Sequence, residues 1–232
     1  MKLTAFLTAA LALSATAAEG EAWQISGVKP LVLQGWGTVR DAYGLARFAV
    51  KDNALSVELA GGGADYGYAE KIAPCVLQDV EGDFEVGVTI QPGISPDGAY
   101  ATSNRVLWNA AGLLVELDEN NFARLELSIR QPLGKKEDNR IWAQRVVGKN
   151  SKWDQPSIKD ANAKKPLHLR IQRTGAQLKW AYSYEKQTWT ELEPFDAKDW
   201  PAKLKVGVLF VNLTTKVENA TVSDLKITKP GL

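Results

Sequence analysis

From residue 45 onward, apolar and polar side chains alternate with a period of two. Leu55, Val57 and Leu59 alternate with Ser56 and Glu58, and Phe84, Val86, Val88 and Ile90 alternate with Glu85, Gly87 and Thr89. The same rhythm sets Leu125, Leu127 and Ile129 against Arg124, Glu126, Ser128 and Arg130, and Leu167, Leu169 and Ile171 against His168, Arg170 and Gln172. It returns in Leu178, Trp180, Tyr182 and Tyr184, and in Leu204, Val206, Val208 and Phe210. Strand-like runs also cover 112–118, 141–147, 188–193 and 221–227. No long window carries a helical stripe. Ten or more short strands separated by turn residues predict an all-β, antiparallel sandwich in which each sheet covers the apolar face of the other.

Side-chain parity predicts two hairpins. A two-residue turn after Asp118 would pair Val115 with Arg124 and mix the faces. A three-residue loop, Glu119-Asn120-Asn121, pairs Val115 with Leu125 and Leu113 with Leu127, and sets Glu116 opposite Arg124. The second hairpin joins 177–184 to 188–193 through Glu185-Lys186-Gln187. No repeat or low-complexity linker interrupts residues 45–229, so a single domain is expected there, preceded by a partly extended N-terminal segment at 18–44.

The chain opens Met1-Lys2-Leu3, continues through an apolar run at 5–13 and reaches Ser14-Ala15-Thr16-Ala17-Ala18. A basic start, a short apolar core and an Ala-x-Ala site predict a signal peptide over residues 1–17, cleaved near Ala17/Ala18, and hence a secreted or periplasmic protein. No later stretch reaches the roughly 20 apolar residues of a membrane helix. The 232 residues carry 28 Lys+Arg and 27 Asp+Glu, a net charge of +1, which argues against a nucleic-acid partner of the basic-patch kind. Cys75, the single cysteine, excludes an intrachain disulfide and reads as a small buried side chain. Asn212-Leu213-Thr214 and Asn219-Ala220-Thr221 match the glycosylation acceptor pattern, but both fall in strand-like segments. A monomer is expected.

Several motifs together resemble one family. Gly82-Asp83-Phe84-Glu85-Val86, the run Ala111-Gly112-Leu113-Leu114-Val115 leading into Asp118-Glu119-Asn120-Asn121-Phe122, and Val146-Val147-Gly148 leading to Ser151-Lys152-Trp153 are similar to the domain of unknown function 1349 family. Leu167-His168-Leu169-Arg170-Ile171, Thr188-Trp189-Thr190 and Lys205-Val206-Gly207-Val208 fit as well. The resemblance spans roughly residues 45–228. It implies a jelly-roll sandwich of the concanavalin A-like lectin/glucanase type, and it supplies no settled catalytic set.

Relatives with that sandwich include family 16 glycoside hydrolases, which aim carboxylates from one strand face in a Glu-x-Asp-x-Glu pattern. Here Glu116-Leu117-Asp118-Glu119-Asn120 lacks the third carboxylate, so Glu116, Asp118 and Glu126 are only weak catalytic candidates and a cross-strand ion pair followed by a turn explains the run as well. His168, the single histidine, has no nucleophile motif around it. One His and one Cys do not make a usual zinc site, and no cofactor or metal is expected. Ser95-Pro96-Asp97-Gly98 reads as a turn, with an all-oxygen calcium site as the alternative. Gly61-Gly62-Gly63 reads as flexible punctuation. Eight tryptophans are many for this length. Trp180 belongs to the core by parity, whereas Trp36, Trp108, Trp142, Trp153, Trp189 and Trp200 fall in loops or at strand ends. An exposed indole can stack on a sugar ring. The ligand-binding set expected is Trp108, Trp142, Trp153, Arg124, Glu126, His168 and Arg170, with a polysaccharide or other glycan as partner. A glycoside hydrolase and a structural or adhesion module of the envelope are the competing readings.

Overall fold

The computed structural model describes the backbone of residues 22–23, together with residues 30–67, 71–101, 106–148 and 157–229. Seventeen strands and no helix form among these residues, and every strand pairing between them is antiparallel. One sheet has the order β1 (Ala22–Trp23), β4 (Ala46–Lys51), β5 (Ala54–Leu59), β17 (Glu218–Thr228), β7 (Phe84–Ile90), β12 (Leu167–Thr174), β13 (Gln177–Ser183) and β14 (Thr190–Glu191), with β15 (Phe195–Asp196) also on β13. The other has the order β11 (Ser157–Lys159), β10 (Arg140–Val147), β9 (Asn121–Pro132), β8 (Val106–Asp118), β16 (Lys203–Asn212), β6 (Cys75–Glu81), β3 (Gly37–Arg40) and β2 (Val32–Leu33). The sandwich thus takes in strands from before residue 45.

The alternating apolar residues meet between the sheets. Leu113, Val115, Leu125 and Leu127 face Val86, Val88, Leu169 and Ile171 in one buried cluster, and Phe48 meets Phe210 edge-on at 6.5 Å. Trp36, Trp180 and Trp200 belong to this core, each 7% exposed or less. At those three positions tryptophan supplies packing volume rather than a surface plate. Local turns follow from residue type: Lys51 pairs with Ala54, so Asp52 and Asn53 form a two-residue turn, with φ of 48° and 61°. Asp and Asn tolerate that left-handed conformation.

The β8–β9 hairpin departs from the expected register. Leu113 pairs with Leu125 and Val115 with Ala123, so Glu116 lies opposite Phe122 and Leu114 opposite Arg124. The register shifts between Glu116 and Asp118, before Asp118 pairs with Asn121. That irregularity absorbs one residue, so a two-residue turn no longer mixes the faces. Asp118 Oδ1 accepts from the Asn120 amide at 2.7 Å and from Asn121 Nδ2 at 2.9 Å, which fixes the turn. The second hairpin is also looser than expected: β13 ends at Ser183, β14 begins at Thr190, and the connection is longer than three residues.

The middle of the eight-stranded sheet is buried on both sides. On its outer face Leu114, Phe122, Val146, Leu209 and Val211 form a second apolar cluster with Tyr66 and Ala73, from the segment between β5 and β6. Asn212 pins the chain beside this layer. Its Nδ2 donates to the Ala60 and Lys216 carbonyls at 3.1 and 2.8 Å, and its Oδ1 accepts from the Thr214 amide and hydroxyl, both at 2.9 Å.

Candidate functional site

On β8, β9 and β10 the residues facing away from the core are of mixed character. Register aligns Trp108 with Arg130, Ala110 with Ser128, Gly112 with Glu126 and Leu114 with Arg124 across β8 and β9. It aligns Arg140 with Ser128, Trp142 with Glu126 and Gln144 with Arg124 across β9 and β10. Arg124, Glu126, Ser128 and Gln144 are fully buried. Charged residues are seldom so enclosed without close partners.

Their partners are few. Arg124 Nε donates to Gln144 Oε1 at 2.7 Å. Its Nη1 lies 3.6 Å from Glu126 Oε2 and 3.7 Å from Asp65 Oδ1, which is ion-pair distance but beyond hydrogen-bond reach. Arg124 Nη1 and Nη2, both Glu126 oxygens, Ser128 Oγ, Gln144 Nε2, Arg130 Nε and the Nε1 atoms of Trp108 and Trp142 are buried with no hydrogen-bond partner. Each such orphan costs about 1–3 kcal/mol. Burial pushes the Glu126 carboxyl up to about 7, against the opposing pull of Arg124. Gly112, opposite Glu126, has no room for a side chain: a Cβ there would lie 2.2 Å from Leu125 O and 2.5 Å from Glu126 Cα.

The two indoles engage each other and the arginines. Trp108 and Trp142 stack at 5.7 Å with 28° between planes. The Arg124 guanidinium lies 5.2 Å from the Trp108 ring, and those of Arg130 and Arg140 lie 5.1 and 6.0 Å from the Trp142 ring. Asp138 bonds Arg140 and lies 3.7 Å from Arg130. Trp108, Arg130 and Arg140 are half-buried, so the cluster opens toward that end and is sealed at Arg124 and Glu126.

The expected binding set joins these residues to His168 and Arg170, and the structure separates them. His168 and Arg170 lie on β12 of the other sheet, on that sheet's outer face. A period of two reveals which residues share a face of one strand, but not which sheet the strand joins. There they line a cup of about 270 Å³ with Thr89, Lys186, Trp189 and Asp224. His168 Nδ1 is 2.8 Å from Thr89 Oγ1, which also reaches Asp224 at 3.1 Å. Arg170 covers the Trp189 ring at 4.4 Å and bonds Glu191 at 2.8 Å. Burial, then the charge of Lys186, holds the His168 imidazole below its ordinary value.

Glu116 is also occupied elsewhere than expected. It pairs with Arg40 Nη1 at 2.8 Å, and Arg40 Nη2 donates to the Tyr66 hydroxyl at 2.9 Å. Tyr66 in turn meets Phe122 edge-on at 5.0 Å, so this chain of contacts ties the covering segment to the sheet. Asp118 is engaged in its turn. Cys75 is buried, and burial pushes its thiol up to about 11. Trp153 lies outside the described residues. Among the described residues no group of three or more His, Cys, Asp and Glu side chains is placed to hold a metal ion. The Ser95 turn is held through Glu218, which accepts from the Ser95 amide at 3.1 Å and from Asn109 Nδ2 at 2.7 Å.

Asp65, Ser128, Gln144, Asp138 and Arg140 were not anticipated. Ser128 and Gln144 stand at the same parity as Arg124 and Trp142, which is the signal that could have found them. Asp65 lies just after the Gly61-Gly62-Gly63 run read as punctuation and carried no such signal.

No family model matches the chain, and no curated protein matches its sequence. Solved structures do match its fold. A functionally unknown protein from Saccharomyces cerevisiae superposes with a TM-score of 0.61 at 17% identity, over 79% of this chain and 91% of that one. A legume lectin-like domain from Entamoeba histolytica gives 0.51 at 13% identity, over 79% and 87%. A mutant of the GH43 protein BlXynB from Bacillus licheniformis gives 0.52 at 17% identity, over 82% of this chain but only 38% of that longer one. The fold is the jelly-roll sandwich of concanavalin A-like lectins and glucanases.

Proposed function

We propose that this is an exported, non-catalytic glycan-binding protein whose ligand is received on the outer face of β8, β9 and β10. The observation that carries the reading is the cluster of buried polar atoms without partners around Arg124, Glu126 and Gln144, beside two indoles, on a lectin-type sandwich. Sugars offer hydroxyls that satisfy such atoms and apolar ring faces that lie against aromatic groups. The resemblance to the domain of unknown function 1349 family, the lectin-like and GH43 fold neighbours and the signal-like N-terminus all support it. The indoles already stack on each other, so their contribution is a wall and two N–H donors rather than open plates. A glycan array followed by titration of tryptophan fluorescence tests the proposal. Binding with a changed Trp108/Trp142 signal, lost in Trp142→Phe, is expected. An array without a single hit, and flat fluorescence with soluble polysaccharides, would overturn it.

A second reading, a glycoside hydrolase, is favoured by one pair of groups. Glu126 stays protonated close to neutrality, as a general acid requires. Asp65 and Glu126 both lie against Arg124 Nη1, so their nearer oxygens are at most about 7 Å apart, which is compatible with the spacing of paired glycosidase carboxylates. Reducing-sugar release that disappears in Glu126→Gln would support this reading, and turnover unchanged in that variant would end it.

A further inference from the structure

The orphaned atoms are unequal in kind. Six are donors: Arg124 Nη1 and Nη2, Arg130 Nε, Gln144 Nε2 and the indole nitrogens of Trp108 and Trp142. The Gln144 amide is oriented by the Arg124 bond, because a guanidinium can only donate, so its Nε2 is a donor. Against them stands one carboxyl, Glu126, whose two unpaired oxygens both accept when it is ionised and one of which donates when it is protonated, and the Ser128 hydroxyl can serve either way. A neutral sugar brings hydroxyls, each of which adds a donor of its own beside its acceptor lone pairs, so it relieves a surplus of donors less completely. An oxyanion brings acceptors alone.

Charge points the same way. Arg124, Arg130 and Arg140 stand against Asp65 and Asp138, while burial favours the uncharged form of Glu126. With that carboxyl protonated, one positive charge is left over among these six groups. Resting resonance-delocalised Arg124 beside the Trp108 ring keeps its outer N–H fork available for two parallel bonds.

We propose that the site recognises a sugar bearing an oxyanion, a uronate carboxylate or a sulfate ester, with the anionic group held by the Arg124 fork. This rests on the glycan-binding reading and narrows its ligand class. Arg124 would hold the charged group, and the half-buried side chains of Trp108, Arg130 and Arg140 would meet the sugar ring.

Calorimetric titration of the whole protein with four oligosaccharides of similar length tests it: an oligouronate, the same oligouronate fully methyl-esterified, a sulfated galactan fragment and a neutral xylan fragment. At least one charged ligand should bind tenfold or more tightly than the neutral one, and its affinity should fall as salt rises. Preference for the uronate over the sulfated fragment, or the reverse, identifies the source of the anion. If the uronate is the ligand, esterification should abolish binding. Arg124→Lys, which keeps the charge and loses the fork, should weaken binding at least tenfold. Esterification and the neutral arm keep the test decisive if that variant fails to fold. Neutral xylan binding as tightly as both charged ligands would overturn this inference and leave glycan binding standing. No binding of any kind would overturn both.

Discussion

Replacing Glu126 by glutamine removes one titrating proton and little volume, so the effect on stability can be worked out from the site. The carboxyl has an ordinary value of 4.5 and is pushed up to about 7 in the fold by burial. Below about pH 4.5 it is protonated whether the chain is folded or not, and it costs nothing on this account. Between about 4.5 and 7 the unfolded chain releases the proton while the folded one retains it, so stability falls as pH rises. Above about 7 both forms are ionised and the penalty levels off. At about 1.4 kcal/mol per unit of displacement, the full cost is roughly 3 kcal/mol. A carboxamide in the same place cannot ionise, so the variant lacks this slope. Urea unfolding of both proteins, followed by circular dichroism at intervals between pH 4 and 8, gives the difference curve. Arg124, Arg130 and Asp65 are present in both proteins and drop out to first order. The native protein should lose roughly 3 kcal/mol relative to Glu126→Gln across this window, or about 6–12 °C in melting temperature for a chain of this size. Parallel curves, or a difference of opposite sign, would refute the argument that the carboxyl is buried and poorly compensated.

Gly112→Ala should cost about 1–3 kcal/mol, because the new Cβ meets the backbone of β9 rather than a movable side chain. A urea midpoint unchanged from the native protein would show that the strands do not approach so closely. Arg40→Ala strands Glu116, whose side chain is 4% exposed, and should cost about 1–3 kcal/mol, since the half-exposed guanidinium is partly screened by water. Adding Glu116→Gln to that variant should recover part of the loss in a double-mutant cycle, and strict additivity would contradict the pairing. An NMR titration of His168 should give a midpoint below 6.5, moved upward by Lys186→Ala, which removes a charge opposing protonation. A midpoint at or above 6.5 in the native protein would contradict that environment.

Strands buried on one side were legible. In β5, and in β12 as far as Ile171, every second residue is apolar and buried, and parity alone assigned the core. Most of β8, and β16 from Val206 onward, are buried on both faces, so Leu114, Leu209 and Val211 read as breaks in the alternation. Continuous apolar runs are the ordinary mark of such strands, and 206–211 is one. The β8–β9 register was missed because the irregularity near Leu117 leaves no trace in side-chain type. Trp142 was found, but as a loop or strand-end indole, and Arg124 and Glu126 were found as the polar side of their strand, since a charged residue signals exposure unless its cover is known. That cover includes the segment carrying Asp65 and Tyr66, far away in sequence, and no local pattern reports it. The split between the Arg124 and His168 groups has the same origin, because sheet membership is a long-range property.

Asn212 has a practical corollary for producing the protein. Its amide nitrogen holds two carbonyls, no solvent reaches it, and the Thr214 that completes its acceptor tripeptide is buried against it. A eukaryotic secretory host modifies such tripeptides while the chain is still emerging. An oligosaccharide placed on Asn212 would take a hydrogen the fold needs and occupy space the fold fills, whereas one on exposed Asn219 would hang in solvent. Yeast or mammalian secretion should therefore divide the product into a soluble fraction bare at Asn212 and a retained, misassembled fraction armed there, while a bacterial host yields a single species.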